Sequence, residues 1–125
     1  MSYFVTGGTG FIGRHLIELL LKRPGKIHVL VRKSSQDKFD ALVEKLGAPK
    51  DRLVPVYGDL AKPRLGLSPA AVKQIAGKVK HFFHLAAIYD LTASEESQIV
   101  ANIDGTRHAV QLAGQIKAGC FHHVS

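Results

Sequence analysis

The sequence has very little cysteine and no long hydrophobic stretch. Cys120 is the only cysteine among 125 residues, so a disulfide within the chain is excluded, and we expect Cys120 to be a small residue of a buried strand. Charged residues interrupt every apolar run, so none approaches the roughly 20 residues that a membrane-spanning helix needs. The chain also enters a strand directly, without the pattern of a signal peptide. These features together predict a cytoplasmic protein.

Long runs of one charge are absent as well. Lysine and arginine outnumber aspartate and glutamate by 17 to 10, which gives a net charge of +7. Such a balance would suit a nucleic-acid-binding protein, but no run of five or six basic residues occurs, and we expect no nucleic-acid partner. A smaller basic cluster follows the second predicted strand and suits a phosphorylated small molecule; it consists of Arg32, Lys33 and Lys38.

Strand and helix signals alternate along the chain. Short β-branched or aromatic runs predict five strands, which lie at residues 3–5, 27–31, 53–57, 81–85 and 119–124. Apolar residues at helical spacing predict helices between them, the last of them long. This alternation predicts an α/β fold with a doubly wound parallel sheet of the Rossmann type, in a single domain over residues 1–125. The expected strand order is 3-2-1-4-5, and Pro55, which lacks a backbone donor, fits an edge position for the third strand.

The first strand runs into a glycine-rich turn that is followed by a helix. Residues 6–13 read Thr-Gly-Gly-Thr-Gly-Phe-Ile-Gly. Glycine reaches positive φ and leaves the backbone open to a diphosphate, while the N–H groups of the next helix attract the anion. With a strand before it and a helix after it, the pattern is typical of dinucleotide binding. We expect the cofactor to contact six residues here, namely Gly7, Thr9, Gly10, Phe11, Ile12 and Gly13.

The residue after the second strand distinguishes between dinucleotides. Arg32 lies 19 positions after Gly13, where an acidic residue would bind the ribose 2′-hydroxyl. A guanidinium instead matches a phosphate. Arg32, assisted by Lys33, therefore predicts NADP (NADPH) over NAD. The alternative interpretation of Arg32 is a solvated arginine at a strand end.

Later strand ends and the long helix supply further candidates. Asp59 can accept a hydrogen bond from the adenine amino group with Leu60 against the ring, unless Asp59 only shapes a turn. The small residues Ala86 and Ala87 follow the fourth strand and would let the cofactor pass close to the backbone. Asn102 is a further predicted cofactor contact, or it bonds across to the fourth strand.

The histidines of the last two strands are expected to be structural. His84 ends the fourth strand, where a packed or hydrogen-bonded role is expected. His122 and His123 are neighbours in the fifth strand, so their side chains point to opposite faces of the sheet. That pair cannot hold one metal ion, and the sequence predicts no metal site.

These motifs resemble the amino-terminal part of an extended short-chain dehydrogenase/reductase. The matching segments span nearly the whole chain, at residues 6–13, 58–60, 84–87, 102–106 and 123–125. Three further details are similar to the thioester reductase and fatty acyl-CoA reductase branch, at residues 30–32, 59–68 and 86–90. The resemblance implies an NADPH-dependent oxidoreductase that reduces an acyl thioester or a fatty aldehyde. The alternatives are a nucleotide-sugar epimerase or dehydratase with bound NAD, and a non-catalytic NADP-binding module.

The resemblance also implies a catalytic serine or threonine after the fifth strand, followed by a Tyr-x-x-x-Lys pair. Ser125 is the candidate catalytic serine; the alternative is that Ser125 comes just before the catalytic serine, which would then lie beyond residue 125. The sequence contains no Tyr-x-x-x-Lys, so we expect the chain to be the cofactor-binding part of a longer enzyme, truncated before its carboxyl-terminal part. The expected partner is a small-molecule substrate, with acyl-CoA or an acyl carrier protein as candidates.

Overall fold

A computed structural model describes residues 2–49, 51–85 and 94–124. The strands are β1 (Ser2–Thr6), β2 (Lys26–Val31), β3 (Leu53–Tyr57), β4 (Val79–His84) and β5 (Cys120–His123). The helices between them are α1 (Phe11–Leu20), α2 (Gln36–Leu46), α3 (Pro69–Ile75) and α4 (Glu95–Gln115). Two short 3₁₀ turns lie at Lys33–Ser35 and Pro63–Gly66.

The five strands form one parallel sheet in the order β3-β2-β1-β4-β5. This confirms the predicted fold class and strand order. Because β1 is central, its register places Val5 beside Val29 on one side and Phe83 on the other. The carboxyl ends of the strands meet at one edge of such a sheet, and ligands of doubly wound folds bind there.

Pro55 lies in the edge strand β3, as the sequence predicted. The N–H of Gly58 donates to the carbonyl of Val31 at 3.1 Å, and the carbonyl of Arg52 accepts from the N–H of Ile27 at 2.7 Å. Backbone groups alternate in direction along a strand, so Pro55 directs its nitrogen away from β2. The missing donor therefore costs the sheet no hydrogen bond.

Each face of the sheet has its own hydrophobic core. Alternate residues of β1 point to opposite faces, and so Tyr3 and Val5 pack in the core that α1 and α2 cover. Phe4 packs in the second core, below α3 and α4, and its ring stacks on Phe82 at 4.7 Å. Burial of one large apolar side chain stabilises the fold by about 1.5–3 kcal/mol, so these two layers hold the helices against the sheet.

Local signals fix where the elements begin and how they are joined. The Ser68 hydroxyl accepts a hydrogen bond from the N–H of Ala71 at 3.1 Å and so caps the start of α3. Gly47 has a φ of 59° and ends α2 in the left-handed conformation. Nε of Arg52 donates to the carbonyl of Gly25 at 2.7 Å and ties the approach to β3 to the turn after α1.

The expectation for Cys120 was wrong. Its side chain is exposed, because β5 is the second edge strand of the sheet and none of its four residues is fully buried. Among the residues that the structure describes, no helix has the length and apolar content to span a membrane.

Candidate functional site

The turn between β1 and α1 is held by its own backbone. The N–H of Gly10 donates to the carbonyl of Gly7 at 3.1 Å, and the N–H of Arg14 donates to the carbonyl of Gly10 at 2.9 Å. Gly7 has a φ of 75°, in the left-handed region where other residues are strained. The path of the chain therefore requires glycine at position 7.

Packing accounts for two more glycines of this turn. A Cβ atom on Gly13 would lie 2.0 Å from the carbonyl oxygen of Gly7. A Cβ atom on Gly8 would lie 2.7 Å from Val29 and 2.8 Å from Ile17, in the core. Both positions are thus needed for α1 to approach β1 closely, whether or not a ligand binds.

Gly10 differs from these glycines. Its φ of −77° and ψ of 176° are open to any residue. A Cβ atom there would meet only the carbonyl oxygen of Gly7, at 3.4 Å, and the residue is exposed. The fold itself does not require glycine at position 10. Its missing side chain instead leaves the backbone at the start of α1 open from outside, as a bound diphosphate would need.

Two apolar side chains follow Gly10 without being buried. Phe11 is 71% exposed and Ile12 is 59% exposed. Both had been predicted as cofactor contacts, and they lie in the first turn of α1 beside the open backbone. Thr9, within the turn, is half-buried.

A buried hydrogen-bond chain holds the end of β1. The Thr6 hydroxyl lies 2.7 Å from Nδ1 of His84, and Nε2 of His84 lies 3.2 Å from the hydroxyl of Thr106 in α4. The Thr6 hydroxyl oxygen also accepts from the N–H of Leu85 at 3.2 Å. Since the Thr6 oxygen accepts that bond, its hydroxyl can donate to Nδ1, which leaves the His84 proton on Nε2. The structural role expected for His84 is confirmed.

The buried position of His84 also changes its acidity. Burial, followed by the nearby His123, lowers the pKa of His84 to about 4. The imidazole is therefore neutral at neutral pH. Thr6, the last residue before the glycine turn, is thereby tied to the end of β4 and to α4.

The predicted phosphate-binding residues follow β2. Arg32 comes directly after Val31 and is exposed, as is Lys33. The carbonyl of Arg32 accepts from the N–H of Ser35 at 2.8 Å and starts the 3₁₀ turn. Within the described part of the chain no ion pair engages the Arg32 guanidinium. Its five donors are therefore available to an anion at the carboxyl edge of the sheet.

The residues after β3 form a tight loop that contacts α4. Oδ1 of Asp59 accepts from the N–H of Ala61 at 2.9 Å, so Asp59 does shape a turn. The carbonyl of Leu60 accepts from Nδ1 of His108 at 2.8 Å. Leu60 also lies against Gly105, where a Cβ atom would be 3.6 Å away in ordinary contact. This loop is thus fixed beside α4.

Three of the predicted site residues lie outside the described residues. They are Ala86 and Ala87, after β4, and Ser125, the candidate catalytic serine. Asn102 is half-buried in α4. The other predicted contacts follow β1, β2 and β3, which are adjacent strands, so the sheet brings them to one edge.

A groove elsewhere on the molecule does not include this site. It measures about 1500 Å³ and runs along β3 and the beginnings of the other strands, with basic side chains of Lys26, Arg52 and Lys78 in its wall. No residue of the glycine turn lines it.

Comparison with known proteins identifies similar chains. The family model described as "Male sterility protein" (NAD_binding_4) matches residues 5–125. The Drosophila melanogaster protein CG8303, whose name provisionally assigns it to the fatty acyl-CoA reductases, is 35% identical over 131 residues. That match covers 93% of this chain and 24% of the fly protein, so the chain spans about a quarter of that relative.

Solved structures share the fold. The terminal R domain from the myxalamid PKS-NRPS biosynthetic pathway is 31% identical, with a TM-score of 0.80 over 99% of this chain and 34% of that domain. Gre2 from Candida albicans, solved in complex with NADPH, is 25% identical, with a TM-score of 0.80 over 100% of this chain and 37% of Gre2. The chain therefore corresponds to about a third of each of these proteins.

The environment of His84 predicts a loss of stability in acid. An unfolded chain binds a proton at His84 below about pH 6.5, whereas the folded chain does so only near pH 4. The stabilisation is thus complete above pH 6.5 and is lost as the pH falls towards 4, and it amounts to about 3 kcal/mol at most. Urea unfolding at several pH values between these limits measures it.

The variant His84→Gln separates this effect from other titrations. Its free energy of unfolding should vary much less across this interval, with a remainder from His28 and His81, whose pKa values are also lowered by burial. His15→Gln, at an exposed position, should keep the full dependence. Equal slopes in His84→Gln and the unaltered chain would contradict the assignment.

Proposed function

Because this chain belongs to the family described as Male sterility protein, we propose that it binds NADPH and forms the cofactor-binding part of a reductase of acyl thioesters. The observation that supports this most directly is Gly10, the one glycine of the turn Gly7–Gly13 whose missing side chain the fold does not require. A diphosphate bound against the start of α1 would explain why position 10 carries no side chain. When bound, NADPH would supply the hydride for reduction.

In this proposal the turn and the start of α1 hold the diphosphate. Gly10 occupies the N-cap position of α1 and has no side chain to cap the helix. The unpaired N–H groups and partial positive charge of the first turn then face an incoming anion. Phe11 and Ile12 would cover the cofactor with apolar surface that is otherwise exposed.

Arg32 and Lys33 would bind the 2′-phosphate. Both are exposed at the end of β2, the neighbour of β1 in the sheet. An acidic residue at the position of Arg32 would favour NAD instead. The NADPH complex of Gre2 supports the same preference in this chain.

The remaining proposed cofactor contacts follow β3 and β4 or lie in α4. Asp59 already accepts the Ala61 N–H at Oδ1, and a carboxylate has further lone pairs for the adenine amino group. Leu60 would lie against the adenine ring. Ala86, Ala87 and Asn102 stay predictions for the nicotinamide half of the site.

The relatives support the proposed substrate class. One similar protein is named among the fatty acyl-CoA reductases, and another is the terminal R domain of a PKS-NRPS pathway. An acyl group on coenzyme A or on a carrier is the substrate class common to both. We infer that Ser125 contributes to catalysis and that the proton-donating tyrosine lies outside these 125 residues, since they contain no Tyr-x-x-x-Lys.

Two glycine variants test the turn. Gly10→Val should abolish NADPH binding by placing a side chain against the diphosphate, while changing the free energy of unfolding by no more than about 1 kcal/mol. Gly13→Val should unfold the chain, because its Cβ atom would lie 2.0 Å from a backbone oxygen. Gly114→Ala, at an open position in α4, is the control; it should leave NADPH affinity unchanged and raise the free energy of unfolding by up to about 1 kcal/mol. Calorimetric titration and urea unfolding give both readouts, and unchanged NADPH affinity in folded Gly10→Val would refute the site.

Arg32→Ala tests the choice of cofactor. We expect NADPH affinity to fall by about 10- to 100-fold, since a charge-assisted phosphate contact contributes roughly 1.5–3 kcal/mol, while NADH affinity changes by less than about twofold. Titration of both cofactors against Arg32→Ala and the control Arg23→Ala, exposed after α1, measures the difference. Equal losses for NADPH and NADH would remove Arg32 from the phosphate site.

The chain alone should bind NADPH without turning over substrate. General acid–base assistance is worth about 10²–10⁴-fold, and the sequence lacks the Tyr-x-x-x-Lys that would provide it. NADPH absorbance should stay constant on addition of a fatty acyl-CoA, and should fall for a polypeptide extended to include that pair. Rapid acyl-CoA-dependent oxidation by the 125-residue chain would disprove the assignment, and nucleotide-sugar interconversion by the extended one would favour an epimerase.

A further inference from the structure

One face of strands β4 and β5 carries a cluster of metal-binding side chains. His81 of β4 lies directly opposite Cys120 of β5 in the parallel register. His122 is two residues after Cys120 and therefore points to the same face. His123 points to the other face, where its ring stacks on that of His84 at 5.3 Å.

The three side chains are close enough to share one ion. One ring nitrogen each of His81 and His122 and Sγ of Cys120 all lie within 4.8 Å of one another, and Nδ1 of His81 lies 3.1 Å from Nε2 of His122. In a tetrahedral zinc site, bonds of about 2.0 Å to nitrogen and 2.3 Å to sulfur place the ligand atoms roughly 3.3–3.6 Å apart. Small side-chain rotations would bring all three atoms to such distances.

The protonation of the two imidazoles suits metal binding. A hydrogen bond between two ring nitrogens needs one of them to be unprotonated. At least one of the two imidazoles therefore presents an unprotonated nitrogen, which is the form that binds a metal. Lys80, the residue before His81, points to the opposite face of β4.

The cluster is also accessible. His81 and His122 are half-buried, and Cys120 is exposed. An ion can therefore enter from solvent, and a thiol in contact with a divalent cation loses its proton. A fourth position would remain for water or another ligand.

We propose that His81, Cys120 and His122 form a binding site for a borderline-soft divalent cation such as Zn²⁺, separate from the cofactor site. The imidazole and thiolate donors favour Zn²⁺ and Co²⁺ over Mg²⁺ and Ca²⁺, which prefer oxygen. The ion would bridge β4 and the edge strand β5 near the beginning of β5, whereas the glycine turn follows the end of β1. The sequence prediction of no metal considered only His122 and His123, and it missed the register that sets Cys120 beside His81.

Cobalt titration of the untagged chain tests the proposal, in a phosphine reductant that keeps Cys120 reduced. We expect one Co²⁺ per chain, with the visible bands of a tetrahedral site and a thiolate-to-cobalt charge-transfer band that Zn²⁺ abolishes by displacement. Cys120→Ser should remove the charge-transfer band. His81→Ala and His122→Ala should each weaken binding by more than about tenfold, since even outer-shell partners of a metal contribute 10- to 100-fold. His123→Ala, the control on the opposite face, should bind within about twofold of the unaltered chain.

Several results would overturn the site. They are the absence of a charge-transfer band in the unaltered chain, equal affinity in Cys120→Ser, or one ion per two chains with dimers on size exclusion. A larger loss in His123→Ala than in His122→Ala would do the same. Circular dichroism checks that each variant is folded. Because Cys120 is exposed, Cys120→Ser decides the question if a histidine variant does not fold.

Discussion

The close approach of α1 to the turn after β1 is the constraint from which the candidate site is built. At Gly13 the helix backbone comes so near Gly7 that a single methyl group would collide with a carbonyl oxygen. That contact fixes the position of the first turn of α1 relative to the end of β1. The positive φ of Gly7 and the core position of Gly8 follow from the same geometry. Only Gly10 is left free of packing demands, and it lies where the helix begins.

The parallel sheet brings the other residues of the candidate site together. Because β1, β2 and β3 are neighbours with the same direction, the residues that follow them share one edge. Arg32 contributes positive charge there and Asp59 contributes a carboxylate. The hydrogen bonds from Thr6 through His84 to Thr106 tie this edge to β4 and α4. The open glycine turn thus rests on a buried polar chain that is fully hydrogen-bonded, which rigidifies the backbone that the cofactor would contact.

Much of this arrangement was predictable from the sequence, since hydrophobic periodicity and glycine spacing report local structure directly. The strand order follows from the alternation of strand and helix signals, and the edge position of Pro55 follows from its missing backbone donor. The individual roles of Gly8, Gly10 and Gly13 did not, because they depend on which atoms come near each one: Val29 and Ile17 at Gly8, and the carbonyl of Gly7 at Gly10 and Gly13. The burial of Cys120 was predicted wrongly, since β5 has the composition of a core strand but lies at an edge. The register between β4 and β5 could not be predicted from the sequence either. The proximity of His81, Cys120 and His122 depends on that register and was therefore not predicted.

The two lateral edges of the sheet are chemically unequal. On β3, the nitrogen of Pro55 faces outward and has no hydrogen to donate. This edge therefore lacks one of the backbone N–H donors that another strand would need for pairing. The outer side of β5 carries no proline, so its backbone can template a further strand. Of the two edges, β5 therefore keeps the fuller row of backbone hydrogen-bonding groups, and an added strand could pair with it more completely than with β3.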